Sequence, residues 1–254
     1  MKIYEPHYYE FADGRADWGS FPRRQILEFI NRKLQPGMRL LELGCGTGEL
    51  LSRLGTDINY VGVEISDFAV EEAKRRWRER VNAEFIMSGM VPFAENSFDA
   101  VCLIYVLEHV RQPRRFLLEA LRVLKPGGTL VLAAPNLEMP LAYPHALRHR
   151  SFFYRLWFVV LRKWDYLLRV FGIFTFRTVT QNFVEATGTY EKKDDDLQYV
   201  VSSFEVVQFL KSNGVSLVQF FEEGEPLSFM RRLIQKLPAM HWYGKPLAAA
   251  FQKA

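Results

Sequence analysis

Cysteine is scarce in this sequence: Cys45 and Cys102 are the only two among 254 residues. Two thiols are too few for a secreted disulfide framework, and they show no metal-ligand spacing. Long hydrophobic runs are missing as well. The longest, residues 100–107, falls far short of the ~20 residues that span a bilayer. Residues 1–10 are polar and aromatic and lack an apolar h-region, so no signal peptide is expected and a cytoplasmic protein is the default. There is no internal repeat and no low-complexity tract. What is present is ordinary for a globular chain: 49% hydrophobic, 24% charged and 15% aromatic. That composition excludes a collagen, a disordered tail and a polytopic membrane protein.

Excess charge of one sign is also small, at +4, but it is unevenly spread. Between Leu141 and Arg177 stand Arg148, Arg150, Arg155, Arg162, Lys163, Arg169 and Arg177 against the single acid Asp165. The segment is therefore strongly basic, and the rest of the chain is slightly acidic.

Residues 38–134 alternate short apolar runs with amphipathic stretches, the pattern of βαβ units and a parallel sheet. Strands are predicted at 39–43, 60–65, 84–87, 100–104 and 129–133, with helices at 48–54, 67–80 and 113–124. Ser66 is a plausible N-cap, and Pro113 stands near the first helical position, where a missing N–H costs nothing. Lys125-Pro126-Gly127-Gly128 reads as a stop and turn. A helix over 22–34 precedes the sheet. A further helix at 203–212 and strands near 215–221 and 247–252 follow it.

The strongest local signal is Glu42-Leu43-Gly44-Cys45-Gly46-Thr47-Gly48-Glu49, which leaves a strand and opens a helix. Glycines at alternate positions permit positive φ and remove Cβ atoms where a ligand approaches the backbone. The dinucleotide fingerprint G-x-G-x-x-G is not matched, because the third glycine arrives one residue early. Glu49 also puts a carboxylate where a pyrophosphate would sit. Glu64, at the end of the next predicted strand, can accept both hydroxyl hydrogens of a ribose diol. Glu42 suits the cationic end of a ligand. A nucleoside with an amino-acid tail and no phosphate fits this set.

At these residues the sequence resembles the class I S-adenosylmethionine-dependent methyltransferases, of the small-molecule type similar to the ubiquinone-pathway enzymes. Glu42-x-Gly44-x-Gly46-x-Gly48 matches the family's glycine loop and Glu64 its ribose acid. Pro92-Phe93 with Ser97-Phe98-Asp99, Leu107-Glu108-His109-Val110, and Leu124-Lys125-Pro126-Gly127-Gly128 match three further stretches. The likeness is close over residues 20–135 and loose over 200–254. It implies an α/β, Rossmann-like, doubly wound and mostly parallel seven-stranded sheet. Helices would cover both faces, and a helical, aromatic insertion would follow the fifth strand. It divides the chain into a lid region 1–36, a core of 37–135 and 202–254, and an inserted substrate segment 136–201. It implies S-adenosylmethionine as cofactor, S-adenosylhomocysteine as product, and Glu42, Gly44, Cys45, Gly46, Gly48, Glu64, Ile65, Met87, Ser88 and Tyr105 as cofactor contacts.

One departure concerns adenine. The family's acid some five residues before the Pro-Phe is absent from Met87-Ser88-Gly89-Met90-Val91. Either Ser88 or backbone groups read the adenine edge while Met87 or Met90 packs on the ring, or adenine is held by shape alone. Where some relatives have a magnesium-binding acid, this chain has Tyr105, so no metal is expected.

Methyl transfer needs alignment more than covalent help. A base is needed only for a protonated acceptor. His109 is the candidate for that base; its other reading is a histidine bracing the loop. Tyr4, His7, Tyr8, Tyr9 and Phe11 are either a lid over the cofactor, where an aromatic would meet the sulfonium, or a segment packed on the sheet edge. Arg23 and Arg24 either reach an acidic substrate group or are solvated.

Residues 151–177 hold ten aromatics, and Arg155, Arg162 and Arg169 recur on one helical face. Three readings stand side by side. The helix is a lid whose apolar side packs on the domain, a peripheral membrane contact with its arginines kept out of the lipid, or a homodimer interface. Nucleic acid is not expected. His145 and His149 flank the segment, and Glu191 to Asp196 reads as a solvated loop. The function expected is methyl transfer to a small hydrophobic or amphipathic acceptor. The alternatives are an RNA or protein methyltransferase using the basic segment, and a non-catalytic adenosyl-binding subunit.

Overall fold

The computed structural model describes residues 9, 17–137, 143–190, 195–221, 236 and 246–254. In chain order these form α1 (Arg23–Lys33), β1 (Arg39–Leu43), β2 (Asn59–Glu64), α2 (Asp67–Arg76), β3 (Ala83–Met87), β4 (Phe98–Ile104), α3 (Pro113–Val123), β5 (Leu124–Ala134), α4 (Phe152–Val170), α5 (Phe183–Thr187), α6 (Ser203–Ser212), β6 (Val215–Phe220) and β7 (Leu247–Lys253). The strands make one seven-stranded sheet in the order β3-β2-β1-β4-β5-β7-β6. The first five are parallel, and β7 runs antiparallel to both β5 and β6.

Side chains alternate across a strand, and here both sides find apolar cover. Leu41, Leu43, Val101 and Leu103 join Leu117 of α3 and Val206 of α6 on one face. Leu40, Ala100 and Cys102 join Ile26 and Phe29 of α1 and Val70 of α2 on the other. Strand order reverses between β1 and β4, so the loops at their carboxyl ends part and leave a crevice. The glycine loop after β1 and the turn after β4 meet there, Gly44 lying against Val106.

Two local predictions are corrected. The stretch 48–54 is no α-helix: Gly48 has φ +82°, and only a short 3-10 turn, Leu50–Arg53, follows. Lys125–Gly128 follows the end of α3 at Val123, as the stop signal predicts, but it is not a turn outside the sheet. β5 already begins at Leu124, which pairs with Phe98, and the next pair is Ala100 with Thr129. The proline and two glycines bulge out of the strand between those pairs. The Ser66 cap is present, its hydroxyl accepting from the Ala69 N–H at 3.3 Å.

The insertion after β5 builds its own small core from Ala146, Leu147, Phe158, Val179, Leu197 and Val200. It is also tied to the loop after β4, because the N–H groups of Gln198 and Tyr199 both donate to the Glu108 carbonyl (2.8 and 2.9 Å). The orientation of α4 is the reverse of a lid with its apolar side inward. Arg169 is buried 3.6 Å from the Glu205 carboxylate, Arg162 donates to the Leu137 carbonyl at 2.5 Å, and Arg155 donates to the Tyr143 hydroxyl. Asp165, fully buried on the same face, takes both Arg177 nitrogens (2.8 and 2.5 Å). The large apolar residues point outward: Phe153 is 79% exposed, Trp157 57% and Trp164 61%. The arginine stripe is the helix's inner side, so the packed-lid reading, with the apolar side turned inward, does not describe it.

The acidic run is corrected too. Glu191 to Asp194 lie outside the described residues, but Asp195 and Asp196 are buried. Asp195 is bidentate with Arg148 and lies 3.5 Å from His145, so His145 braces the insertion's fold.

Candidate active site

Glu64 ends β2, and three backbone N–H groups fix its carboxylate. Gly46 donates to one oxygen at 3.1 Å; Ile65 and Ser66 donate to the other at 2.7 and 3.2 Å. One acidic side chain thus links the glycine loop to the end of the neighbouring strand while staying partly open to solvent. Glu42 lies beneath the loop, 5% exposed, and the Tyr60 hydroxyl donates to it at 2.5 Å. Burial above all, with Glu64 and Glu49 nearby, raises its pKa to about 8 despite that bond. A buried acid in this condition favours a cation over it.

The three glycines divide their tasks. A Cβ on Gly44 would stand 2.4 Å from Val106 Cγ2, and one on Gly48 would meet Trp77 and Phe85 at 2.8–3.0 Å. Those two are required by the protein's own packing. At Gly46 (φ +52°) a Cβ would meet only the Tyr9 ring, at 3.7 Å, so this glycine keeps the open side of the loop clear. Gly44→Ala is expected to destabilise the fold by about 1–3 kcal/mol through overpacking, read as a lower urea midpoint. Cys45 packs in the core below the loop, and burial pushes its thiol well above the usual range. Its side chain is part of the loop's floor.

Beside Glu64, across the β2–β3 pairing that sets it opposite Met87, lies an apolar shelf. Ile65, Met87 and Met90 are 62%, 58% and 73% exposed. The Ser88 hydroxyl accepts from the Met90 N–H at 3.1 Å, which leaves its proton to donate elsewhere. A shelf this apolar, next to a carboxylate and a glycine cradle, fits a purine ring whose ribose reaches Glu64.

The far wall comes from β4. Tyr105 follows that strand directly with φ +56°, a left-handed conformation rare for an aromatic residue and typical of functional sites. The Arg23 guanidinium lies over its ring, 4.6 Å from the centroid, so Arg23 reaches the crevice wall. Arg24 instead pairs with Glu28 on the surface at 3.8 Å. Tyr9 is buried against Phe68, with ring centroids 5.9 Å apart. Tyr4, His7, Tyr8 and Phe11 lie outside the described residues.

His109, in the 3-10 turn Leu107–His109, is mostly buried. Its Nδ1 lies 3.0 Å from Asp196 Oδ2 and its Nε2 3.9 Å from Glu108 Oε1. Asp196, absent from the sequence-based candidates, is the group that faces this histidine; the acidic run containing it gave no sign of burial. His149 meets Phe183 edge-on with centroids 6.1 Å apart, its pKa lowered by burial and by Arg150 and Arg148. Among the described residues no three acids, histidines or cysteines gather closely enough to hold a metal, and no helix is long and apolar enough to cross a membrane.

The part of the chain that holds this glycine loop, strand reversal and acid resembles the class I S-adenosylmethionine-dependent methyltransferases. Residues 41–132 match the family model described as a methyltransferase domain. Over 116 residues the chain is 41% identical to a demethylmenaquinone methyltransferase of Renibacterium salmoninarum, covering 44% of this chain and 46% of the relative. It is 37% identical over 106 residues to a 27-O-demethylrifamycin SV methyltransferase of Amycolatopsis mediterranei, covering 39% of each. The chain thus spans under half the length of these relatives. In three dimensions it resembles a SAM-dependent methyltransferase from Aquifex aeolicus, with a TM-score of 0.55, 17% identity, and coverage of 87% and 94% of the two chains. It also resembles the [4+2]-cyclase SpnF, with a TM-score of 0.52, 20% identity, and coverage of 94% and 83%. Those likenesses concern the fold alone.

Proposed function

We propose that this protein transfers a methyl group from S-adenosylmethionine to a small hydrophobic or amphipathic acceptor. The observation that carries the reading is Glu64, set by three backbone donors between the glycine loop and the apolar shelf. When bound, the cofactor supplies an activated methyl group on a sulfonium. The chain's own residues do the rest. Glu64 receives the ribose hydroxyls, and Ile65, Met87 and Met90 take the adenine. Glu42 holds negative charge under the cationic tail. Tyr9, Tyr105 and Val106 keep water from the crevice.

His109 holds a place where it can take a proton from an acceptor hydroxyl or carbon, with Asp196 setting the ring's orientation from Nδ1. His109→Gln is expected to lower the rate of methyl transfer and leave cofactor affinity unchanged, read from labelled-methyl transfer beside S-adenosylhomocysteine titration. Glu64→Ala is expected to weaken cofactor binding by roughly ten- to a hundredfold, the equivalent of ~1.5–3 kcal/mol for hydrogen bonds to a charged group. Titration calorimetry with S-adenosylhomocysteine reads this directly, and unchanged affinity overturns the ribose assignment.

The reaction itself is tested by transferring radiolabelled methyl from the cofactor into a cell extract and fractionating the products. Label is expected in the organic-soluble fraction. Label in nuclease-sensitive or protein material would replace the substrate class. Cofactor binding with no label in any fraction would leave a binding subunit without this activity.

A further inference from the structure

We propose that the outward face of α4 docks this protein on an anionic lipid bilayer. This inference stands apart from the methyl-transfer reading. It rests on the orientation of one helix, and its test needs no turnover.

The face is continuous. Phe153, Trp157, Val160, Trp164, Leu167 and Phe171 repeat at alternating spacings of four and three, and each is 46–80% exposed. At 1.5 Å per residue the helix is about 28 Å long. Its outward side chains, with 150–250 Å² on each aromatic and 46–80% of each exposed, present roughly 600–800 Å² of apolar surface. Monomeric proteins rarely expose contiguous patches beyond a few hundred Å². The inner face shows why the helix does not turn over. Asp165 is held by Arg177, and Arg162 and Arg169 are engaged with Leu137 and Glu205, so rotating the helix would strand a buried acid and its partners.

Charge selects the occupant. No acidic residue stands on the outward face, and Lys163 is exposed at its flank. Arg150 and Arg155 lean on the rings of Tyr154 and Tyr143, at 4.9 and 4.8 Å from the centroids. Neither has a carboxylate partner among the described residues. A second copy of this chain would bring the same cationic layer against itself, since a twofold contact pairs a patch with its own image. Anionic headgroups instead meet Lys163 at the flank and Arg150 at the helix start while the aromatic rings enter the boundary between headgroup and acyl chain. The helix lies in the plane of the surface, with Arg162 bonded to Leu137 just beyond the carboxyl end of β5. Docking therefore brings the crevice edge of the sheet near the lipid phase.

Flotation of the whole protein with phosphatidylcholine vesicles, with and without phosphatidylglycerol, tests this. The wild type is expected to float with the anionic vesicles, to do so less at high salt, and to show a blue-shifted tryptophan emission. The double substitution Trp157→Glu and Trp164→Glu is expected to lower partitioning about tenfold or more, because carboxylates then face the anionic interface. Both side chains are exposed, so S-adenosylhomocysteine affinity should stay within about twofold. The single Phe153→Ser carries the same test with a smaller loss if the double variant misfolds. A wild type that ignores anionic vesicles, or a variant that floats equally well, overturns the proposal. So does a dimer in sedimentation velocity that dissolves on the same substitutions while vesicles are not bound, which would assign the face to a second copy. Failure of methyl transfer alone would leave the flotation result intact.

Discussion

Glu205→Ala is expected to cost about 3–5 kcal/mol of stability, because it removes one side of a buried charge contact and leaves the other uncompensated. Glu205 is fully buried at the start of α6. One of its oxygens accepts the N–H groups of Thr175 and Phe176 at 2.6 and 2.9 Å, and the other accepts the Tyr199 hydroxyl at 3.1 Å. The Arg169 side chain of α4 is 3.6 Å away. Phe176 has φ +44°, a backbone conformation that non-glycine residues hold only when their surroundings impose it. Without the carboxylate, Arg169 keeps its burial and loses its counter-charge, and two backbone donors lose their acceptor. Urea unfolding should register the loss as a lower midpoint, and hydrogen exchange should show faster opening at Thr175 and Phe176. Glu205→Gln keeps an acceptor for one set of donors and should fall between wild type and alanine. A stability within about 1 kcal/mol of wild type for Glu205→Ala would show that water or rearrangement satisfies the site.

Glu42 gives the second large effect, one that depends on pH. In the unfolded chain this carboxyl ionises near 4.5, whereas burial holds it protonated to about 8 in the folded, cofactor-free protein. Between those values the folded state binds more protons than the unfolded one, so stability falls as pH rises through that window. The swing is on the order of 5 kcal/mol at 1.36 kcal/mol per unit. It should disappear in Glu42→Gln, which has no proton to lose. The cofactor's cationic end favours the ionised form. Binding near pH 7 should therefore release up to one proton, and affinity should rise by as much as about tenfold per pH unit on approach to pH 8. Calorimetry in two buffers of different ionisation enthalpy counts that proton. Equal proton release in wild type and Glu42→Gln would remove Glu42 from the cofactor's electrostatics.

The sheet was legible because its strands are short apolar runs punctuated by turn residues; β1 falls on the predicted 39–43. The glycine loop was legible as a motif, but not the division of labour within it. Whether a Cβ would strike Val106, Trp77 or only Tyr9 depends on residues distant in the chain. The error at α4 has a similar cause. A period of 3.6 separates two faces of a helix and does not say which is inside. The arginine stripe turned inward because the Glu205 carboxylate and the Leu137 carbonyl wait for it, and both lie far away in sequence. Asp196 was missed for the same reason. In a run of acids it looked solvated, and only the folded chain brings it to His109.

The pair of N–H groups that Gln198 and Tyr199 direct at the Glu108 carbonyl bears on how such a protein can be re-engineered. The insertion is continuous in sequence, yet its inner seam is stitched to a loop some ninety positions earlier, on the turn that also carries His109. A graft that exchanges residues 136–201 alone between relatives would cut those stitches and leave the donor's loop on a foreign support. The transplantable cassette is thus discontinuous. It comprises the insertion together with residues 105–110, and chimeras built on that boundary should fold where single-segment chimeras lose the alignment of the turn.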